Sequence, residues 1–470
     1  MKAFYAGEWR FDGPVKKVRN PFDESVIGEV PDLEPEILDL AIDGLSNGCE
    51  ELKNMSRETH HAIFRNLLEI LKSNRNELVG LLQTEQGKPV YEARMEWDSM
   101  IQSIEVLADN ASLIGQEIQP LAAEPASRGW SGFTIRQPHG IVGILTPVVY
   151  PLLFPIIHVC YALAAGNSVI LKPARVTPLI ALRLVELLLE AGVPPTAIAC
   201  ITGRGNVLGK ALCADKRLNH LCCMGRIPTI KSIRNNASFV PAHLQWGCVS
   251  TVIADRSADV ERLVRSYLRA AYDNAGQSAF TASLIAAEPE VYDVLCDRLS
   301  AAVAGIKTGN PLNDATQMGP VSSAVSRSTF DKVLAHEKEN GAEVLVGGTR
   351  EGRRILPTLL RNCDPEKSIL SREEVRAPVS GITKIRKKED IIGILQKQRY
   401  HILTLFTGET GAAVNQASNL PFENIHINGI PTWRDGLICL PGQPPRSGLR
   451  DSYDRIKDYC RYRDIVCHPG

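Results

Sequence analysis

The stretch Ala162-Leu163-Ala164-Ala165-Gly166-Asn167-Ser168-Val169-Ile170-Leu171-Lys172-Pro173 joins the end of an apolar helix over residues 152–165 to a short strand at Ser168-Val169-Ile170-Leu171. Outward from it the same alternation continues. A buried strand at 141–145 precedes the helix. After the strand comes a helix with Thr177 as N-cap, Pro178 in its first turn and Gly192 closing it. A strand at 197–202, a helix at 205–213 and a strand at 218–224 follow. Strands and helices alternating from 140 to 248 predict a doubly wound parallel sheet. Such sheets bind ligands beyond the carboxyl ends of their strands, which here carry Thr146-Pro147, Lys172-Pro173, Gly203 and Gly225.

Composition bounds what this sheet can serve. The chain has 470 residues, 44% of them apolar, enough for two or three domains with large cores. Lys plus Arg and Asp plus Glu number 53 each, so no long-range field points to nucleic acid or an anionic membrane. The most apolar region, 141–171, is interrupted by Pro147, Pro151, Pro155 and Gly166 and reads as no membrane span. The Met1-Lys2-Ala3-Phe4-Tyr5 start has no apolar signal core. Twelve scattered cysteines and ten dispersed histidines show no zinc spacing, and the expectation is reduced buried thiols in a cytoplasmic protein without metal.

Around this core the chain adds further elements. Residues 19–30 read as a turn and a short strand. Helical periodicity runs from 34 to about 115, and Thr84-Glu85-Gln86-Gly87-Lys88-Pro89 ends one of its helices, with no chemistry implied. Residues 129–138 alternate like an exposed strand. A second α/β lobe extends from 249 to 440, with helices near 259–272 and 289–305, and residues 459–466 form a last strand.

The opening stretch is similar to the A-L-A-x-G-N-x-V-[IVL]-K-P run of the aldehyde dehydrogenase superfamily. Ala191-Gly192-Val193-Pro194, Gly309-Asn310-Pro311-Leu312, Met318-Gly319-Pro320-Val321 and Ser447-Gly448 match other motifs of that family in order. The resemblance implies a Rossmann-type dinucleotide-binding domain (1–124 and 139–248), a catalytic-type α/β domain (249–440), and small oligomerisation strands (125–138 and 451–470) that pair with a partner subunit.

Asn274-Ala275-Gly276-Gln277-Ser278-Ala279 resembles the family's N-x-G-Q-x-C, whose cysteine attacks the aldehyde; Ala279 holds that position. Pro147-Val148-Val149-Tyr150-Pro151 stands where the family has P-W-N-F-P, placing Val149 at the oxyanion amide. Gln245-Trp246-Gly247-Cys248 matches E-L-G-G, placing a neutral Gln245 at the general base. Ser278 has no base to activate it, and Cys248 reads as a small buried thiol in place of glycine.

For the cofactor, the resemblance carries over Thr146, Pro147, Lys172 at the adenosine ribose, Gly225 in the pyrophosphate turn, and Glu374 at the nicotinamide ribose. Pro228 and Ile230 depart from that turn, and a branched Ile230 is expected to obstruct the pyrophosphate. Arg175 and Arg226 either add charge for a phosphate or lie on a solvated face. NAD or NADP binding is expected to be weak.

Two functions follow. One is a catalytically silent member with a binding, scaffold or regulatory role, forming a homodimer, holding a small aldehyde-like ligand, or serving beside an active relative. The other is a working oxidoreductase that acts on an aldehyde by a non-covalent or altered mechanism.

Overall fold

Five apolar runs become parallel strands: Ile141–Leu145, Ser168–Lys172, Ile198–Cys200, His220–Gly225 and Ala242–Trp246. The structure, a computed structural model, describes residues 1–110, 117–119, 129–237, 240–397, 401–422, 424–431 and 456–468. Within the first sheet Ile141–Leu145 lies between Ser168–Lys172 and His220–Gly225. Strand order reverses there, so the crevice for a ligand opens at the carboxyl ends of these three strands. Ala3–Tyr5 and Glu8–Arg10 extend the far edge as antiparallel strands, giving seven in all. Helix Leu153–Ala164 is buried at every side chain from Phe154 onward, as expected of a helix lying between a sheet and other helices.

One expected cap is wrong. The Leu179 and Ile180 N–H groups at the start of helix Leu179–Glu190 donate to Glu85 Oε1 (2.6 Å) and Oε2 (3.0 Å). Thr177 Oγ1 is buried with no partner among the described residues. A carboxyl group offers two oxygens to the two N–H groups, so it displaces a single hydroxyl.

The second sheet has the order Glu343–Val346, Thr358–Arg361, Val379–Lys384, Ala282–Ala287, Val249–Ala254, His401–Phe406, Asn424–Ile427. It is parallel except for its first pair, and helices Val260–Tyr272 and Pro289–Ala304 accompany it. Asp259 caps the first of these helices by accepting the Arg262 N–H at 2.9 Å.

A third, antiparallel sheet consists of Cys460–Cys467, Ser131–Pro138 and Glu117–Gln119. Pairing of the tail with a partner subunit was the expectation; here the tail pairs with Ser131–Pro138 of its own chain across eight residues. Residues 456–458 bring the chain back beside Pro138, so the nearest unpaired edge is an intramolecular one. Glu117–Gln119 also belongs to this arm, although the sequence assigns it to the first domain. The Ser447-Gly448 match, the end of the lobe at 440, and residues 125–128 and 451–455 lie outside the described residues.

Candidate active site

The loop that follows helix Val260–Tyr272 is held from several sides. Asn274, Ala275 and Gly276 have φ of 56°, 51° and 64°, three successive left-handed residues. The first two are not glycine, and each such residue costs on the order of 1 kcal/mol or more unless its surroundings fix it. They do fix it. The Asn274 N–H donates to Glu92 Oε2 (2.8 Å), and Asn274 Oδ1 accepts from Gln86 Nε2 (2.9 Å). Gln277 Nε2 donates to Asn274 O (2.9 Å), and its Oε1 accepts from Ser322 N and Oγ, each at 3.0 Å. A Cβ on Gly276 would stand 2.4 Å from Ala377 O, so no larger residue fits.

This scaffold presents Ala279, fully buried. Its carbonyl accepts the Cys248 N–H (3.1 Å) and lies 3.4 Å from Cys248 Sγ, while the Ala279 N–H has no partner among the described residues. Burial pushes the Cys248 thiol far up, so it stays protonated and unreactive. Val149 is packed in the core and offers no donor. Gln245 Nε2 is 2.7 Å from His243 Nε2, turned along its own strand. Tyr150, at φ 56°, donates its hydroxyl to Ser278 Oγ at 2.7 Å.

At the sheet's switch point a cavity of about 520 Å³ is lined by Thr146, Lys172, Arg175, Lys210, Thr229 and Asn236, among others. Lys172 is buried, donates to Pro173 O (2.9 Å), and is pushed down to about 8 by burial. Arg175 is bound by Asp32 through two contacts of 2.7 and 3.3 Å, so its charge is already half answered. Ile230 does not obstruct this cavity. It is buried against Cys223 and Leu244 on the core side of its helix, and Pro228, Thr229, Ser232, Ile233 and Asn236 face the opening. Arg226 caps that helix, and its Nε is buried without a partner among the described residues. Pro147 is not among the lining residues, whereas Lys210 and Asn236, which the sequence did not single out, are. Lys210 sits on the predicted helix at 205–213, whereas Asn236 ends helix Ile227–Asn236, which the sequence reading did not place.

At the opposite end Glu374 lies against Gly247, where a Cβ would come within 1.8 Å of Glu374 Oε1. Glu374 Oε1 pairs with Arg376 Nε, and both side chains are buried. Glu374 Oε2 and Arg376 Nη2 have no partner among the described residues. Buried polar atoms of this kind need a ligand or water to complete them. A dinucleotide reaching from the Lys172 cavity to Glu374 fits these residues. Among the described residues no three His, Cys, Asp or Glu groups converge to hold a metal ion, and no helix is long and apolar enough to cross a membrane.

The sequence pattern of the aldehyde dehydrogenase family matches residues 11–442. A 3-sulfolactaldehyde dehydrogenase of Priestia megaterium is 27% identical over 430 residues, covering 91% of this chain and 89% of that one. A D-glyceraldehyde dehydrogenase (NADP(+)) of Thermoplasma acidophilum is 29% identical over 440 residues, covering 91% and 88%. The solved betaine aldehyde dehydrogenase of Staphylococcus aureus in complex with NAD+ superposes with TM-score 0.91 at 26% identity, over 99% of this chain and 95% of that one. The chain belongs to the aldehyde dehydrogenase family. The catalytically silent reading is corrected by these findings: the relatives spanning nine-tenths of the chain bear the names of working dehydrogenases, which favours the oxidoreductase reading.

Proposed function

We propose that this family member is an NAD(P)-dependent oxidoreductase that acts on a small hydroxylated aldehyde by direct hydride transfer, with no thioester. The observation that carries it is a loop kept in its strained, multiply anchored shape around Ala279, which offers no nucleophile. In this reading the family's cysteine, amide and base are absent at Ala279, Val149 and Gln245, so the covalent route is closed.

A bound nicotinamide supplies or accepts the hydride. The chain's own residues bind and orient it: Lys172, Lys210 and Arg175 at the cavity end, and Glu374 Oε2 toward a ribose hydroxyl. Neutralisation of Arg175 by Asp32 means a 2′-phosphate must compete with a carboxylate, so neither NAD nor NADP is strongly excluded. The names of the sulfolactaldehyde and glyceraldehyde dehydrogenases support the substrate class.

The reading includes a homo-oligomer, most simply a dimer, formed through the three-stranded arm, whose outer strand leaves Tyr462 55% and Val466 41% exposed. It retains the division into a dinucleotide domain and a 249–440 domain, with 117–119 moved to the arm. A cytoplasmic setting is supported by the absence of a disulfide among the described cysteines.

The test is absorbance at 340 nm with glyceraldehyde and lactaldehyde, NAD and NADP, in both directions, before and after iodoacetamide under native conditions. Turnover that survives alkylation is expected. Absence of turnover in every combination would sink the activity, and complete loss on alkylation would sink the thiol-free route.

A further inference from the structure

We infer that Ser278 and Tyr150 form a hydroxyl relay that donates a proton to the substrate's carbonyl oxygen, with Ser278 Oγ as the contacting atom. The inference rests on the hydride-transfer reading. Ser278 directly precedes Ala279, the position at which the family places its thiol. Ser278 Oγ accepts from Tyr150 O–H (2.7 Å) and from the Phe280 N–H (3.2 Å). A hydroxyl has two lone pairs and one proton; both acceptor positions are taken, and the proton is left for an outside acceptor. No acceptor for it is found among the described residues. The Ala279 N–H, which also has no partner among the described residues, is a second donor on the same loop. Together they make a two-donor site for a developing alkoxide, in place of the side-chain amide that Val149 lacks.

Tyr150 supplies the proton behind Ser278. Its ring is buried, and burial holds the phenol far above its ordinary value, so the hydroxyl is a donor throughout the neutral range. Its backbone is fixed at φ 56°, which costs energy and sets the ring's direction. The Lys88 ammonium, paired with Glu96, stands 4.6 Å from the ring centroid and holds the ring in place, while Glu96, Glu92 and Asp273 oppose negative charge on the phenol and keep it protonated between turnovers.

The reduction balances. The carbonyl carbon gains a hydride with its electron pair, and the π pair moves to oxygen. The oxygen takes the Ser278 Oγ proton, Tyr150 O–H restores it to Ser278, and solvent restores Tyr150 after release. The product is a primary alcohol, and the reverse sequence oxidises one.

The relay is tested first without coenzyme, by the infrared carbonyl stretch of ¹³C-labelled benzaldehyde bound to the protein. The wild type should shift the band to lower frequency, Ser278→Ala should abolish most of the shift, and Ser278→Thr, which keeps a hydroxyl, should restore it. In steady-state reduction with NADPH, Ser278→Ala should lower kcat by about 10²–10³-fold, the range of general acid catalysis. Tyr150→Phe should lower kcat less and leave KM within about twofold. An unchanged band and unchanged kcat in Ser278→Ala would overturn the relay. No wild-type turnover, with a band shift still dependent on Ser278, would sink the hydride-transfer reading and leave the serine–carbonyl contact standing.

Discussion

A cysteine introduced at Ala279 would enter a loop whose backbone is already anchored through Asn274 and Gln277, so it could add to an aldehyde. Release of the resulting thioester needs an activated water, and Gln245, bonded to His243, cannot take its proton. Ala279→Cys should therefore give at most one equivalent of reduced coenzyme by the thiol route, with an acyl adduct visible by mass spectrometry. Repeated thiol-sensitive turnovers would show that another base serves the site. Gly247 allows a sharper test, because a methyl there would collide with Glu374 Oε1 at 1.8 Å. Gly247→Ala should cost about 1–3 kcal/mol in urea unfolding, the usual penalty of overpacking, and an unchanged midpoint would contradict the contact. Lys172 sets a pH limit. Its buried amine, lowered to about 8, loses its charge as pH rises through that value. Dinucleotide affinity measured by calorimetry should be level below pH 7 and fall above about pH 8; affinity rising with pH would exclude a role for the ammonium.

Among the elements, helix Leu179–Glu190 depends on a residue nearly a hundred positions earlier in the chain. Glu85→Ala should leave two buried N–H groups unpaired, at about 1–3 kcal/mol each, and lower stability accordingly. A loss below about 0.5 kcal/mol would mean that water replaces the carboxylate. This contact also marks where the sequence stops being legible. Strands such as Ile141–Leu145 and Ser168–Lys172 declare themselves, because burial on both faces favours apolar runs. The site loop was found by motif, and so were Lys172 and Glu374. The Glu85 cap, the Gln86–Asn274 bond across 188 residues, and the Glu374–Arg376 pair leave no local pattern. A polar side chain near the end of a helix looks the same in sequence whether it faces solvent or a partner in another lobe. The inward course of Ile230 was misread for the same reason: the motif reports which residue departs, and only the helix's rotation shows where it points. The tail strand was recognised, but its partner was not, since alternation specifies a pairing edge and not whose edge it is.

On the scale of the whole molecule, the tail returns to the body at a cluster of four histidines drawn from separate parts of the first domain. Tyr459 is buried; its carbonyl accepts from Asn167 Nδ2 (2.9 Å), and its hydroxyl meets His158 Nδ1 (2.5 Å). His220 packs edge-on against the Tyr459 ring, with centroids 5.6 Å apart, and stacks on His139 at 4.6 Å. His139 Nε2 reaches Asp458 O (3.3 Å), and His243 Nδ1 lies 3.6 Å from the Asp458 carboxylate. Neither nitrogen of His220 has a partner among the described residues. Burial, with smaller contributions from His139 and His243, lowers His220 to about 3, and burial lowers His139 as well, with Arg461 adding to it. The sign follows from linkage. A histidine near 6.5 when unfolded and about 3 when folded takes up its proton first in the unfolded chain, so stability is full above pH 6.5 and falls as pH drops toward 3. Each such group removes up to about 1.4 kcal/mol per pH unit in that window. His401, lowered to about 4 in the other lobe, adds a similar loss, so the overall slope alone does not identify the cluster. The difference between proteins does: wild type should lose more stability between pH 7 and 5 than His220→Phe, which keeps a ring against Tyr459 but cannot take a proton. Equal losses in urea titrations of the two proteins would show that the histidines beneath the tail do not sense acid.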